Sequence, residues 1–357
     1  MRRFAALLLL GCLALGAAAE DLTVASWGGA YTRSQILGFI RDYERTRGLD
    51  LEVVDHDGDL ADIRAQVRAW NVRWDVVDLE LDAALRACDE GLLETFDHGS
   101  LPAGADGTPA AQDFVPGALV PCGVGNVVSA LVVAWNDARG KAPTRLEDFF
   151  DLRRHPGRRG LRRTPKGTLE WALLADGVAP ERVYDVLATA RGQDRAFAVL
   201  DRIRPAIVWW RDGAEAVALL ESGEVAMSAV FSGRIPEAVR RGAPLEILWD
   251  HQIWFLDVWV IPRHGERTAL ARDFVRHATS TESLANQARY IPYGPARRSA
   301  TARLDADVRA ALPTAPANLA TALQESPRFW AEHFAPLSRR FAEWLEAETM
   351  VPRRLPR

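Results

Sequence analysis

Several signatures are missing from this chain of 357 residues, and each absence narrows what it does. There is no Gly-x-Ser-x-Gly elbow, no Gly-rich phosphate loop ending in Lys-Ser/Thr, and no His-Glu-x-x-His. No catalytic constellation is therefore assignable, and the chain is read as a non-enzyme. The seven histidines are scattered, and none pairs with Cys or Asp at ligand spacing, so neither a metal site nor a cofactor is expected. Basic residues form no repeating face. The formal charge is −4, and becomes −6 without Arg2 and Arg3. A mildly acidic chain of this kind is a poor partner for nucleic acid. Beyond the amino terminus no segment is apolar enough to cross a membrane, and there is no internal repeat or low-complexity tract.

What is present begins with a secretion signature. Arg2 and Arg3 precede an apolar run from Phe4 to Leu15, and Ala17-Ala18-Ala19 supplies small residues for cleavage. The run falls short of the about 20 apolar residues that span a bilayer. Residues 1–19 are expected to be a cleavable signal peptide, placing the mature chain in the periplasm. A lipoprotein at Cys12 is the competing reading. About 340 residues remain, more than one hydrophobic core supports, so two lobes are expected. In an oxidising compartment the two remaining cysteines, Cys88 and Cys122, suggest a disulfide; two buried free thiols are the alternative.

The mature chain opens as β-α-β-α-β-α. Leu22–Ser26, Leu51–Val54 and Asp75–Leu79 read as short strands. Ile36, Phe39, Ile40 and Tyr43 share one helical face. Such alternation implies a mostly parallel sheet covered on both sides. Val127–Trp135 is a β-branched run suited to a buried strand. The polar stretch Asn136–Pro143 fits a crossover to a second lobe, and Phe255–Ile261 a return. The lobes are expected over residues 20–136 plus 258–296, and 137–257 plus 297–357.

Ligands of open α/β sheets gather beyond the carboxyl ends of strands. After the first strand comes Ser26-Trp27-Gly28-Gly29-Ala30-Tyr31, where glycines admit a ligand and an indole could stack on it. A tight turn with Trp27 in the core is the alternative. After the third strand, alternation puts Asp78, Glu80 and Asp82 on one side. Asp257 lies within an aromatic stretch, Trp249 to Pro262, and a carboxylate there needs a partner: a structural arginine or an incoming ammonium.

These segments, together with Trp74-Asp75-Val76-Val77-Asp78, Cys88-Asp89-Glu90-Gly91-Leu92-Leu93, Cys122-Gly123-Val124-Gly125, Ser222-Gly223-Glu224-Val225-Ala226-Met227 and Tyr290-Ile291-Pro292-Tyr293-Gly294-Pro295, resemble the spermidine/putrescine-type extracellular solute-binding proteins of ABC importers. The resemblance implies a two-lobed α/β periplasmic-binding-protein fold of type II with its ligand cleft between the lobes. It implies a monomer that captures a small amine-bearing solute, polyamine-like or zwitterionic, and presents it to an inner-membrane permease. By it, Trp27, Tyr31, Glu80, Asp82, Phe231, Ser232, Phe255 and Asp257 fall where family members meet ligand, and Arg234 and Tyr293 join them as candidates. The sequence departs from polyamine binders around Thr164 and Gly167, where Arg162, Arg163 and Lys166 stand in place of acidic residues. That favours a zwitterion, its amine on Asp257 or Glu80 and its acid group on a basic residue or Arg234. The rival readings are a carboxylate, other small anion or ferric ion on the same fold, for which Tyr290 and Tyr293 are the only close tyrosine pair, and a secreted enzyme using the same cleft.

Overall fold

The computed structural model describes residues 21–138 and 141–349. The expected signal peptide and Cys12 lie outside them. Eleven strands form one sheet: β1 (Leu22–Ser26), β2 (Leu51–Asp55), β3 (Val76–Glu80), β4 (Leu119–Val120), β5 (Gly123–Asn136), β6 (Arg159–Arg162), β7 (Ile207–Trp210), β8 (Met227–Phe231), β9 (Leu245–Val260), β10 (Gly294–Pro295) and β11 (Leu323–Gln324). The main order is β2-β1-β3-β9-β5-β8-β6-β7. Each end is parallel, β1 pairing β2 and β3, and β6 pairing β7 and β8. The apolar runs Leu22–Ser26 and Val76–Glu80 are buried throughout, because helices cover both faces.

The middle of the sheet is antiparallel and long. β5 has 14 residues and β9 has 16, roughly 46 and 53 Å of extended chain at about 3.3 Å per residue. The pair is bulged at Gly125/Val127 and Leu131/Val133. His251 in β9 takes a positive φ of 53°, unusual for a side chain with a Cβ. These two strands contribute side chains to both hydrophobic cores. One core uses Val128 and Leu256, the other Ala130 and Ile253. Residues 130–134 therefore pack with the second lobe, and Ala296, Ala300, Leu304 and Leu312 with the first. A β-branched run paired along both edges can serve two cores in succession.

Cys88, in the helix α1 (Leu81–Asp89), bonds to Cys122 just before β5, with the two Cα atoms 5.8 Å apart. No helix among the described residues is long and apolar enough to cross a membrane.

Candidate functional site

A cavity of about 140 Å³ opens between the lobes, at the carboxyl ends of β1, β3, β7 and β8. One water needs only about 10–15 Å³, so a molecule of several heavy atoms fits. The first lobe supplies Trp27, Tyr31, His56, Asp57 and Glu80. The second supplies Arg162, Arg211, Asp212, Gly213, Phe231 and Arg234. The floor, where the lobes meet, is Ser129, Phe255, Asp257 and Tyr293.

Eight sequence candidates line this space: Trp27, Tyr31, Glu80, Phe231, Arg234, Phe255, Asp257 and Tyr293. Two do not. Strand alternation stops at Glu80, which caps α1, so Asp82 sits in the first helical turn instead. There it is held by Lys166 and by Arg86 at 3.4 Å. Ser232 is buried beside Phe231, its amide donating to the Ala130 carbonyl at 2.9 Å. Tyr290 is exposed whereas Tyr293 is buried on the floor, so this pair does not converge on one ligand. Among the described residues no cluster of His, Cys, Asp or Glu could hold a metal ion.

Trp27 is half-buried rather than sealed in the core. Its indole lies 4.6 Å from the His56 ring and covers Gly58, where an added Cβ would come within 2.6 Å of the ring. His56 accepts from the Gly58 amide through Nδ1 at 3.0 Å, so its Nε2 proton is left for the Asp78 carbonyl at 2.9 Å. Burial pulls the His56 pKa down to about 4, so the ring is neutral and braces the indole. Tyr31 and Tyr293 meet at 5.7 Å, and Phe231 and Phe255 meet edge-on at 6.1 Å, completing an aromatic lining.

The acid groups beneath this lining differ in how they are satisfied. Asp78 accepts from Tyr31 (2.8 Å), Gln35 (2.7 Å) and Asn126 (2.8 Å), while burial pushes its pKa up to about 7. Glu80 is paired across the cleft with Arg162 at 2.9 Å and Lys166 at 2.6 Å. Burial alone would raise its pKa, but these two cations outweigh it and hold it at about 2. Among the described residues Asp257, only 3% exposed, has one hydrogen bond, from the Ser129 hydroxyl at 2.7 Å, and no ion pair with arginine or lysine, though the more distant Lys166 charge acts to lower its pKa. Burial, then repulsion from Asp78 and Glu80, raises its pKa well above the carboxylate range.

A complementary vacancy of charge lies on the opposite wall. Among the described residues Arg234, 6% exposed, forms no ion pair; its side chain makes one hydrogen bond there, a long 3.4 Å one to the Trp27 carbonyl. Its guanidinium lies against Gly213, where an added Cβ would come within 2.6 Å of Nε. Gly213 opens the helix α2 (Gly213–Ser222), capped by Asp212. The Asp212 carboxylate accepts from the Ala214 amide at this helix end, and among the described residues it forms no ion pair with Arg234. Arg211, exposed, lines the same wall. The arrangement thus offers an unpaired acid at the floor, an unpaired base on the wall, and aromatic rings between. His56, Asp57, Ser129, Arg211, Asp212 and Gly213 are the lining residues that sequence reading passed over.

Residues 39–317 match the family described as bacterial extracellular solute-binding protein. A γ-aminobutyric acid-binding protein of Pseudomonas aeruginosa is 40% identical over 346 residues, 96% of each chain. Among solved structures, a GABA receptor is 28% identical, with a TM-score of 0.79, covering 91% of this chain and 97% of the other. A periplasmic binding protein of A. tumefaciens B6 in complex with glucopine is 26% identical, with a TM-score of 0.84, covering 91% and 99%. These relatives are binding proteins rather than enzymes. With its two lobes, its cleft at the strand ends and this match across most of its length, the chain belongs to the bacterial extracellular solute-binding proteins.

Proposed function

We propose that the protein captures a short zwitterion, an ω-amino acid of the γ-aminobutyrate class, and delivers it to the permease of an ABC importer. The ammonium docks on Asp257 and the carboxylate on Arg234, with the alkyl chain between Trp27, Tyr31, Phe231 and Phe255. One observation carries the reading: among the described residues, a buried carboxylate and a buried guanidinium, neither in an ion pair, face the same cavity. Isolated buried charges are strongly disfavoured, and a ligand bearing both opposite charges relieves both. The 40% identical γ-aminobutyric acid-binding protein supports the same chemistry. A polyamine fits less well, since its far ammonium would lie against Arg211 and Arg234.

Two charge-assisted contacts and cation–π stacking contribute about 1–3 kcal/mol each, and burial of the alkyl chain has to supply the rest of the about −8 kcal/mol of a micromolar complex once ordering costs are met. Isothermal titration calorimetry with γ-aminobutyrate, butylamine, butyrate and 1,4-diaminobutane tests it. The amino acid is expected to bind at least about tenfold more tightly than either one-charge analogue, the worth of one charge-assisted hydrogen bond. Butylamine binding as tightly as γ-aminobutyrate would remove Arg234 from the site, and butyrate doing so would remove Asp257.

A further inference from the structure

Only two lysines occur in the chain, Lys141 and Lys166; the other 42 cationic residues are arginines. Lys141 is exposed. Lys166 is buried at the lobe junction, on the loop after β6. Its Nζ lies 2.6 Å from Glu80 and 3.0 Å from Glu325, and donates to Asp82. The three carboxylates come from the end of β3, the first turn of α1, and the residue after β11. The same Nζ stands 5.5 Å from the centroid of the Phe255 ring. Three acceptors around an ammonium, with an aromatic face beside it, form a cage suited to a primary alkylammonium, which carries three donors.

The cage shares walls with the ligand cavity. Glu80 and Phe255 line both, and Glu80 is the partner of Asp257 across the β3–β9 ladder. A second chamber, of about 250 Å³ and lined by Glu80, Asp82 and Lys166, adjoins the cavity along Trp27, Asp57, Glu80, Arg162 and Arg211. We infer that Lys166 is a specificity-determining residue, its ammonium filling from within the place where the second ammonium of a diamine would sit.

Among the described residues the other ion pairs of lysine or arginine all use arginine. A planar guanidinium, however, does not present three diverging donors to a small cage. Burial works against the Lys166 charge, but Asp82, Glu325 and Glu80 together keep it protonated. Diamines are thus excluded at both ends: Arg211 and Arg234 repel a distant ammonium on one wall, and Lys166 already occupies the acidic pocket near Asp257.

The inference rests on the placement of the ligand amine at Asp257. Its test is calorimetry of 1,4-diaminobutane, 1,5-diaminopentane and γ-aminobutyrate on the wild type, K166A, K166R and the double variant K166A/E325Q. The double variant removes one carboxylate with the lysine and guards against collapse of the emptied cage. Affinity for a diamine relative to γ-aminobutyrate is expected to rise roughly 10- to 100-fold in K166A and K166A/E325Q, the worth of one charge-assisted hydrogen-bonding group, and to stay near wild type in K166R, whose guanidinium fits the cage less well but still places a cation against its carboxylates. An unchanged ratio in the alanine variants, or the same rise in K166R, overturns the inference while leaving the amino-acid reading standing. Failure of every amine to bind the wild type overturns both.

Discussion

Replacing Asp257 by asparagine separates what this carboxylate does for binding from what it costs the empty protein. The side chain keeps its shape and its contact with Ser129, but loses the charge that would meet an ammonium. A hydrogen bond to a charged group contributes about 1.5–3 kcal/mol, so γ-aminobutyrate should bind about 10- to 150-fold more weakly. Stability should move the other way. Burial and the neighbouring Asp78 and Glu80 raise the Asp257 pKa in the folded chain. The folded state therefore holds this proton to higher pH than the unfolded chain, whose carboxyl titrates near about 3.9. The penalty is absent below that value and grows as pH rises toward the raised folded pKa. At pH 8 the unliganded variant should melt above the wild type, by about 1–1.5 °C for each kcal/mol relieved in a chain of this size, and the gap should narrow on acidification. Ligand affinity of the wild type should also weaken as pH falls through that pKa, since a proton competes with the ammonium, whereas the variant should show no such dependence. Calorimetry at pH 8 and thermal melts from pH 5 to 8 give both readouts. A variant that melts lower and binds γ-aminobutyrate as the wild type does would show Asp257 to be a structural acid.

Three further outcomes are expected. Arg234→Ala should weaken γ-aminobutyrate roughly 10- to 100-fold yet leave butylamine almost untouched, as titrations of the pair would show. Gly58→Ala, at a φ of +83° and with its Cβ 2.6 Å from the Trp27 ring, should lose about 1 kcal/mol or more in denaturant unfolding and, by displacing the indole, weaken the ligand. Removing the disulfide with C88S/C122S releases a loop of 34 residues and should lower stability by about 4 kcal/mol in the chain-entropy model, measured by guanidinium titration.

The parts of the site legible in the sequence are those set by local geometry. Trp27 and Glu80 were findable because a short apolar strand ends just before each, and strand ends in an open sheet face the ligand. The same rule picks out His56 and Asp57 after β2, and Arg211 to Gly213 after β7; these lie at equivalent positions and needed only that step. Ser129 was beyond reach, since its meeting with Asp257 depends on the register of β5 against β9, distant in sequence. The sharing of β5 and β9 between two cores is hidden for a related reason: both are uninterrupted apolar strands, and only their pairing reveals it. Asp82 shows the opposite error, a period of two extended one residue pair past the point where a helix begins.

Ser129, Phe255 and Asp257 belong to β5 and β9, the two strands that both cores share. With the ammonium placed on Asp257 as proposed, the solute would be held first by these shared strands, and Trp27 from one lobe and Arg234 from the other would close over it. Acceptance would then depend on the shared strands, and the length of stay on the two lobes.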